Sequence, residues 1–166
     1  MTYAGIDPGT MSAVVIGDDA GRVTSCFFSE RPIRLDADRI VCEMPRVYPR
    51  SEKDGRHIDP NDMVDLAAIS GGWYWLHEGK CHYVYPRAWK GTRKKWTHHR
   101  IIWDAMNASE QEIIAAECAT TRKALSAYII DACRDAALGN KVTYGRKSHN
   151  ALDAAGLMKY ARKEYG

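Results

Sequence analysis

Four short runs rich in β-forming residues are crowded into the first 44 positions, and this crowding limits the possible folds more than any other feature. The runs cover 3–6, 12–16, 22–28 and 39–43, separated by DPGT, by GDDAG and by a polar stretch holding Pro32. GDDAG between two such runs predicts a hairpin, so the chain opens as an antiparallel meander and reaches a fourth strand, IVCE, that is apolar until it ends on an acid. From residue 60 the period changes: Asp59 is placed to cap a helix with Pro60 in its first turn, and apolar residues at helical spacing continue to Gly79. Ala67, Ala68, Ser70, Gly71 and Gly72 are small enough to let this helix sit close to a sheet. Residues 81–85 predict a fifth strand closed by Pro86, which completes a strand, helix, strand crossover. Helices are expected next over 98–106, over 109–138 with a Ser109/Glu112 capping box and a stop at Gly139, and over 149–163. The order predicts an α/β fold in one domain spanning 1–166: a mixed five-stranded sheet, antiparallel meander plus parallel strands, flanked by helices.

Composition narrows the setting. A 166-residue chain with 45% hydrophobic and 27% charged residues can bury a core without disulfides or a structural metal. Its five cysteines include no CxxC pair, and MTYAGIDPGT lacks the basic and apolar regions of a signal peptide, so a reducing cytoplasm is the expected location. No apolar run approaches the roughly 18 residues of a membrane span, so no membrane partner is expected. Net charge is only +3, which means that any case for nucleic acid rests on where the charges sit.

The acids are placed informatively. Asp7 follows the first strand and precedes the turn Pro8-Gly9-Thr10, Glu43 ends the fourth strand in the same way, and Asp153 lies on the final helix among Ala151, Ala154, Ala155 and Gly156. With the first and fourth strands adjacent, three carboxylates distant in sequence converge. Packed like charges repel unless a cation joins them, so the cluster points to hard divalent metals on oxygen ligands, the arrangement that two-metal sites use to hydrolyse phosphodiesters. Asp18, Asp19 and Asp62 read as turn and helix-start acids.

GIDPGT at 5–10, IVCEMP at 40–45, VYPRAWKG at 84–91 and HNALDAAG at 149–156, in this order across nearly the whole chain, resemble the RuvC-type Holliday-junction resolvases of the RNase H-like (retroviral integrase) superfamily. GIDPGT alone is shared with actin-like and Hsp70-like ATPases, which need two such domains around a cleft; the late helical DA motif makes the set specific. The resemblance implies an RNase H-like fold in which Asp7, Glu43 and Asp153 are catalytic ligands of two Mg²⁺ or Mn²⁺ ions. Relatives commonly carry an Asp or His three or four residues before the final Asp, where this chain has Asn150 and His149, so these two are the candidates for a fourth ligand. Imidazole suits Mn²⁺ better than Mg²⁺, and a site with one carboxylate fewer is expected to favour Mn²⁺.

Residues 86–100 hold Arg87, Lys90, Arg93, Lys94, Lys95 and Arg100 without one acid, interleaved with Trp89 and Trp96, and are expected to bind DNA phosphates, with Trp89 in the core. A second basic segment, Arg46, Tyr48, Arg50, Lys53, Arg56 and His57, is diluted by Glu52 and Asp54. The resemblance makes Tyr48 the aromatic that wedges into a junction centre, where stacking on an unpaired base is worth about 1–3 kcal/mol. Lys141, Arg146 and Lys147 could add a third contact, whereas Cys81, His82, His98, His99 and Cys118 match no zinc spacing.

The expected activity is metal-dependent, structure-selective cleavage of four-way DNA junctions by a homodimer making paired nicks, water attacking to leave 5′-phosphate and 3′-hydroxyl ends. The dimer helix is expected over 60–79, whose Trp73, Tyr74 and Trp75 exceed what one helix side can bury. The rivals are an RNase H-like nuclease acting on RNA–DNA hybrid or other branched nucleic acid, and a junction-binding module with a degraded site, for which Asn150 speaks.

Overall fold

The computed structural model describes residues 1–45, 60–140, 142 and 146–165. Five strands, β1 (Tyr3–Asp7), β2 (Ser12–Gly17), β3 (Val23–Ser29), β4 (Arg39–Glu43) and β5 (Cys81–Val84), form one sheet in the order β3-β2-β1-β4-β5. β2 pairs antiparallel with both β1 and β3, whereas β4 runs parallel to β1 and to β5. The mixed five-stranded sheet, an antiparallel meander continued by parallel strands and flanked by helices, is the arrangement expected from the sequence. Six helices follow the strands in part: α1 (Pro60–Leu76), α2 (Pro86–Lys90), α3 (Lys95–Asp104), α4 (Ala108–Glu117), α5 (Arg122–Ala137) and α6 (Arg146–Tyr165).

Side-chain alternation sorts the strands between two cores. Ala4, Ile6, Val14, Ile40 and Cys42 pack on one side with Trp73 of α1, while Tyr3, Ala13, Val15 and Val41 pack on the other with Leu152, Leu157 and Met158 of α6. α6 lies against the middle of the sheet and is buried at every position from 151 to 158. Its approach depends on glycine: a Cβ on Gly5 would strike the backbone of Ala154 and Met158, and one on Gly156 would strike Trp89 and Ile102.

On the opposite face α1 buries Ser70 and Trp73, with His77 buried just beyond its end, and the Trp73 indole donates to Ser12 Oγ at 3.1 Å. His77 Nε2 accepts from the Leu35 amide at 2.8 Å, which leaves its Nδ1–H to donate to the Trp73 carbonyl. The small residues of α1 do not all face the sheet: Gly72 meets Pro32, but Ala67 and Ala68 are exposed and Gly71 faces open space. Trp73 is fully buried while Trp75 is 75% exposed, so the aromatic cluster does divide between two sides of the helix.

Some boundaries differ from the periodicity. The expected helix over 109–138 is two helices, because Ala119 adopts φ 53° and Thr121 starts α5 by accepting from the Ala124 amide. The capping box is Asn107/Glu110 rather than Ser109/Glu112; Glu110 also accepts from the Val23 amide at 2.8 Å, and this tie to β3 fixes where α4 begins. α3 and α6 each start three residues earlier than expected, at Lys95 and Arg146, and β5 ends one residue earlier, at Val84. Asp59, Arg46, Tyr48, Arg50, Lys53, Arg56 and His57 lie outside the described residues.

Candidate active site

Parallel pairing brings two of the acids together. Ile6 stands beside Cys42 in the β1/β4 register, so Asp7 and Glu43 leave the same end of the sheet side by side. Alternation then decides which way they point: each is two residues beyond a position on the α6 side, Gly5 and Val41, so both carboxylates face the helix that carries Asp153. All three line one cleft of about 820 Å³, together with Pro86, Arg87, Lys90, Arg93, Lys95, His149 and Asn150.

The charges in this cleft are tightly interlocked. Lys90 Nζ lies 3.4 Å from Glu43 Oε2 and 4.0 Å from Asp153 Oδ1, and Lys95 Nζ lies 2.9 Å from Asp153 Oδ2. His99 Nε2 meets Asp153 Oδ1 at 2.9 Å, and the Trp89 indole donates to Glu43 Oε2 at 2.9 Å. Burial pushes the Asp153 carboxyl up, but the hydrogen bond and charge of His99, with Lys95 and Lys90, outweigh it and hold the group well below the usual carboxylate range. Asp7 goes the other way: burial, then the charges of Asp153 and Glu43, push it well above that range despite Lys95 and Lys90. Glu43 is also raised, by burial first and Asp153 second, against the pull of Lys90 and Trp89.

The donor set fits divalent cations. Three converging carboxylates form a hard oxygen cluster in which burial, and then the charges of Asp153 and Glu43, disfavour an ionised Asp7, and an added cation would offset both. Among the described residues no group of three or more His, Cys, Asp or Glu side chains already stands at ligand spacing; Lys90 bridges Glu43 and Asp153 instead. His149 and Asn150 both reach the cleft from the first turns of α6.

The basic stripe divides. Arg87 and Arg93 are exposed on the cleft wall, Lys90 and Lys95 turn inward to the acids, Lys94 is exposed outside the cleft lining, and Arg100 pairs with Asp104 at 3.3 Å along α3. Lys147 sits 5.6 Å over the Phe28 ring, away from the cleft lining. Trp89 is in the core, as its place in the sequence implies, but it also holds Glu43. His99 is the site residue that sequence reasoning missed, since one histidine on an apolar helix face carries no spacing signal.

The raised Asp7 gives a stability test. An acid whose folded pKa exceeds its ordinary 3.8 contributes stability in full below that value and loses it as pH rises through the folded value, so at neutral pH ionised Asp7 opposes folding. In EDTA, Asp7→Asn is therefore expected to melt a few degrees above the parent chain at about pH 7.5 and to lose this advantage near pH 4. Identical melting curves at both values would contradict the assignment.

The sheet order, the acids at the ends of β1 and β4 and the third acid on a helix crossing the sheet define a mixed α/β domain with a carboxylate-lined cleft. Two solved structures are similar over nearly all of it. Thermus thermophilus RuvC in complex with Holliday junction substrate is 14% identical, with a TM-score of 0.43 and coverage of 99% of this chain and 96% of that one. Another Thermus thermophilus RuvC structure is also 14% identical, with a TM-score of 0.35 and coverage of 98% and 96%. No family model matches the chain, and no curated protein matches it.

Proposed function

We propose that the chain is a metal-dependent endonuclease that resolves four-way DNA junctions by paired nicks. The observation that carries this reading is the convergence of Asp7, Glu43 and Asp153 in one cleft walled by Arg87 and Arg93. Mg²⁺ or Mn²⁺ ions held by the three carboxylates, with His149 or Asn150 in reach, would supply Lewis-acid activation of water and charge stabilisation at the leaving oxygen. The protein's own side chains do the rest. Arg87 and Arg93 take the incoming phosphates, Trp89 orients Glu43, and Lys90 and Lys95 hold the acids together before a cation arrives and stay close enough to neutralise a phosphate afterwards.

A second copy would dock on α1. Trp75 and Val64 are exposed there, Tyr74 stacks on Tyr83 at 5.0 Å, and an apolar groove of about 300 Å³ lined by Met44, Met63, Val64 and Tyr83 runs beside them. A homodimer formed across this face would present two clefts to a two-fold symmetric junction.

The test is to incubate the protein with labelled four-way junction, linear duplex and RNA–DNA hybrid in Mg²⁺, Mn²⁺ or EDTA. Paired nicks in the junction with either metal are expected. Preferential cutting of the hybrid would replace the reading with a different nuclease, and metal-independent junction binding without cleavage would make the chain a binding module. In the same assays the double variant Arg87→Ala/Arg93→Ala is expected to weaken binding to every duplex arm and to lower the slope of log affinity against log salt by about 0.9 per lost phosphate contact. An unchanged slope would place the DNA elsewhere.

A further inference from the structure

Asp153 reaches the cleft from a side chain only 4% exposed, and its two oxygens are not equivalent. Oδ2 meets Lys95, which lines the cleft, while Oδ1 meets His99 Nε2, which is buried at 1% exposure on α3. A carboxylate oxygen only accepts, so Nε2 must carry the hydrogen in this contact. The imidazole plane is set by packing as well: the Trp96 ring stands edge-on to it at 6.1 Å and 87°.

The adjacent residue provides an internal comparison. His98 is nearly as buried, at 6%, yet neither of its ring nitrogens has a hydrogen-bond partner among the described residues, and it meets Trp89 edge-on at 4.9 Å. Burial alone therefore does not distinguish these two histidines; the aim at Asp153 does. We propose that His99 is a positioning residue for Asp153, fixing the carboxylate through Oδ1 so that Oδ2 stays turned to the cleft for a cation. The inference rests on the reading of Asp153 as a metal ligand. A buried donor of this kind restricts a ligand to one rotamer, and losing such a partner typically weakens metal binding about 10- to 100-fold.

The experiment compares the parent chain with His99→Gln, His99→Leu and His98→Leu by Mn²⁺ calorimetry, Mn²⁺-dependent junction cleavage, junction binding in EDTA and thermal melting. His99→Gln keeps an amide donor and is expected to stay within about threefold of the parent in Mn²⁺ affinity, while His99→Leu loses about 10- to 100-fold and needs correspondingly more Mn²⁺ for half-maximal cleavage. Junction binding in EDTA should not change, and His98→Leu should match the parent in Mn²⁺ affinity and in cleavage. Parent-like Mn²⁺ affinity in folded His99→Leu would overturn the proposal. Should that variant not fold, imidazole ¹H–¹⁵N spectra of the parent chain decide: the His99 Nε2–H signal is expected to move on adding Mg²⁺ and the His98 signals to stay, and a silent His99 in a chain that takes up Mg²⁺ would overturn it. A parent chain that neither binds Mn²⁺ nor cleaves would remove the nuclease reading itself, and this inference with it.

Discussion

Asp7→Asn, Glu43→Gln and Asp153→Asn should each lower junction cleavage on the order of 1000-fold while leaving junction binding in EDTA nearly intact. Each exchange keeps the volume and removes one negative charge from a cleft whose three acids act together, whereas Arg87 and Arg93, which face the phosphates, are untouched. The variants should nevertheless differ in stability, and that difference separates a damaged site from a damaged fold. Asp7 is crowded by like charges and gains from neutralisation, but Asp153 accepts from both His99 and Lys95, and an amide would turn its NH₂ toward one of these donors. Leaving a buried donor unmatched costs about 1–3 kcal/mol, so Asp153→Asn should melt below the parent and Asp7→Asn above it. Measuring cleavage beside melting temperature checks both statements; wild-type nicking by any one variant would remove that residue from the site.

Gly5→Ala is expected to be as damaging without touching an acid. The added methyl would run into the backbone of Ala154 and Met158, and backbone cannot rotate away as a side chain can. α6 would have to lift from β1, at a cost of about 3 kcal/mol or more, or roughly 6–12 °C in melting temperature for a domain of this length. Because Asp153 directly precedes Ala154, the same displacement would part it from Asp7 two residues beyond Gly5. Cleavage should therefore fall even at temperatures where the variant remains folded. A normal melting curve with normal cleavage would mean that α6 has more freedom than its packing implies.

The route from sequence to site was short where backbone rules decide. A strand ending on Asp before Pro-Gly, a second ending on Glu, and a late helix of small residues around Asp153 place the acids, because parallel pairing and alternation leave few other outcomes. The break at Ala119 was hidden because Cys118–Thr121 contains neither Gly nor Pro, and its left-handed residue is an alanine. The inward turn of Lys90 and Lys95 was hidden for a different reason: a run of cations does not say which of its members face acids more than forty residues away in sequence. His99 escaped notice because its role is a distance to another helix, and only the packing of α3 against α6 creates it.

The bond between Trp89 and Glu43 turns the cleft into an optical instrument. The chain has five tryptophans; Trp73 and Trp103 are sealed in the interior, and Trp75 lies open to solvent on the far helix. The Trp89 indole N–H is tied to a cleft carboxylate, with the Lys90 ammonium 4.7 Å from its ring centroid. Whatever draws Glu43 or Lys90 away from that ring alters the field across its excited-state dipole. Filling the cleft is therefore expected to shift the Trp89 emission, a change readable without a label and in real time.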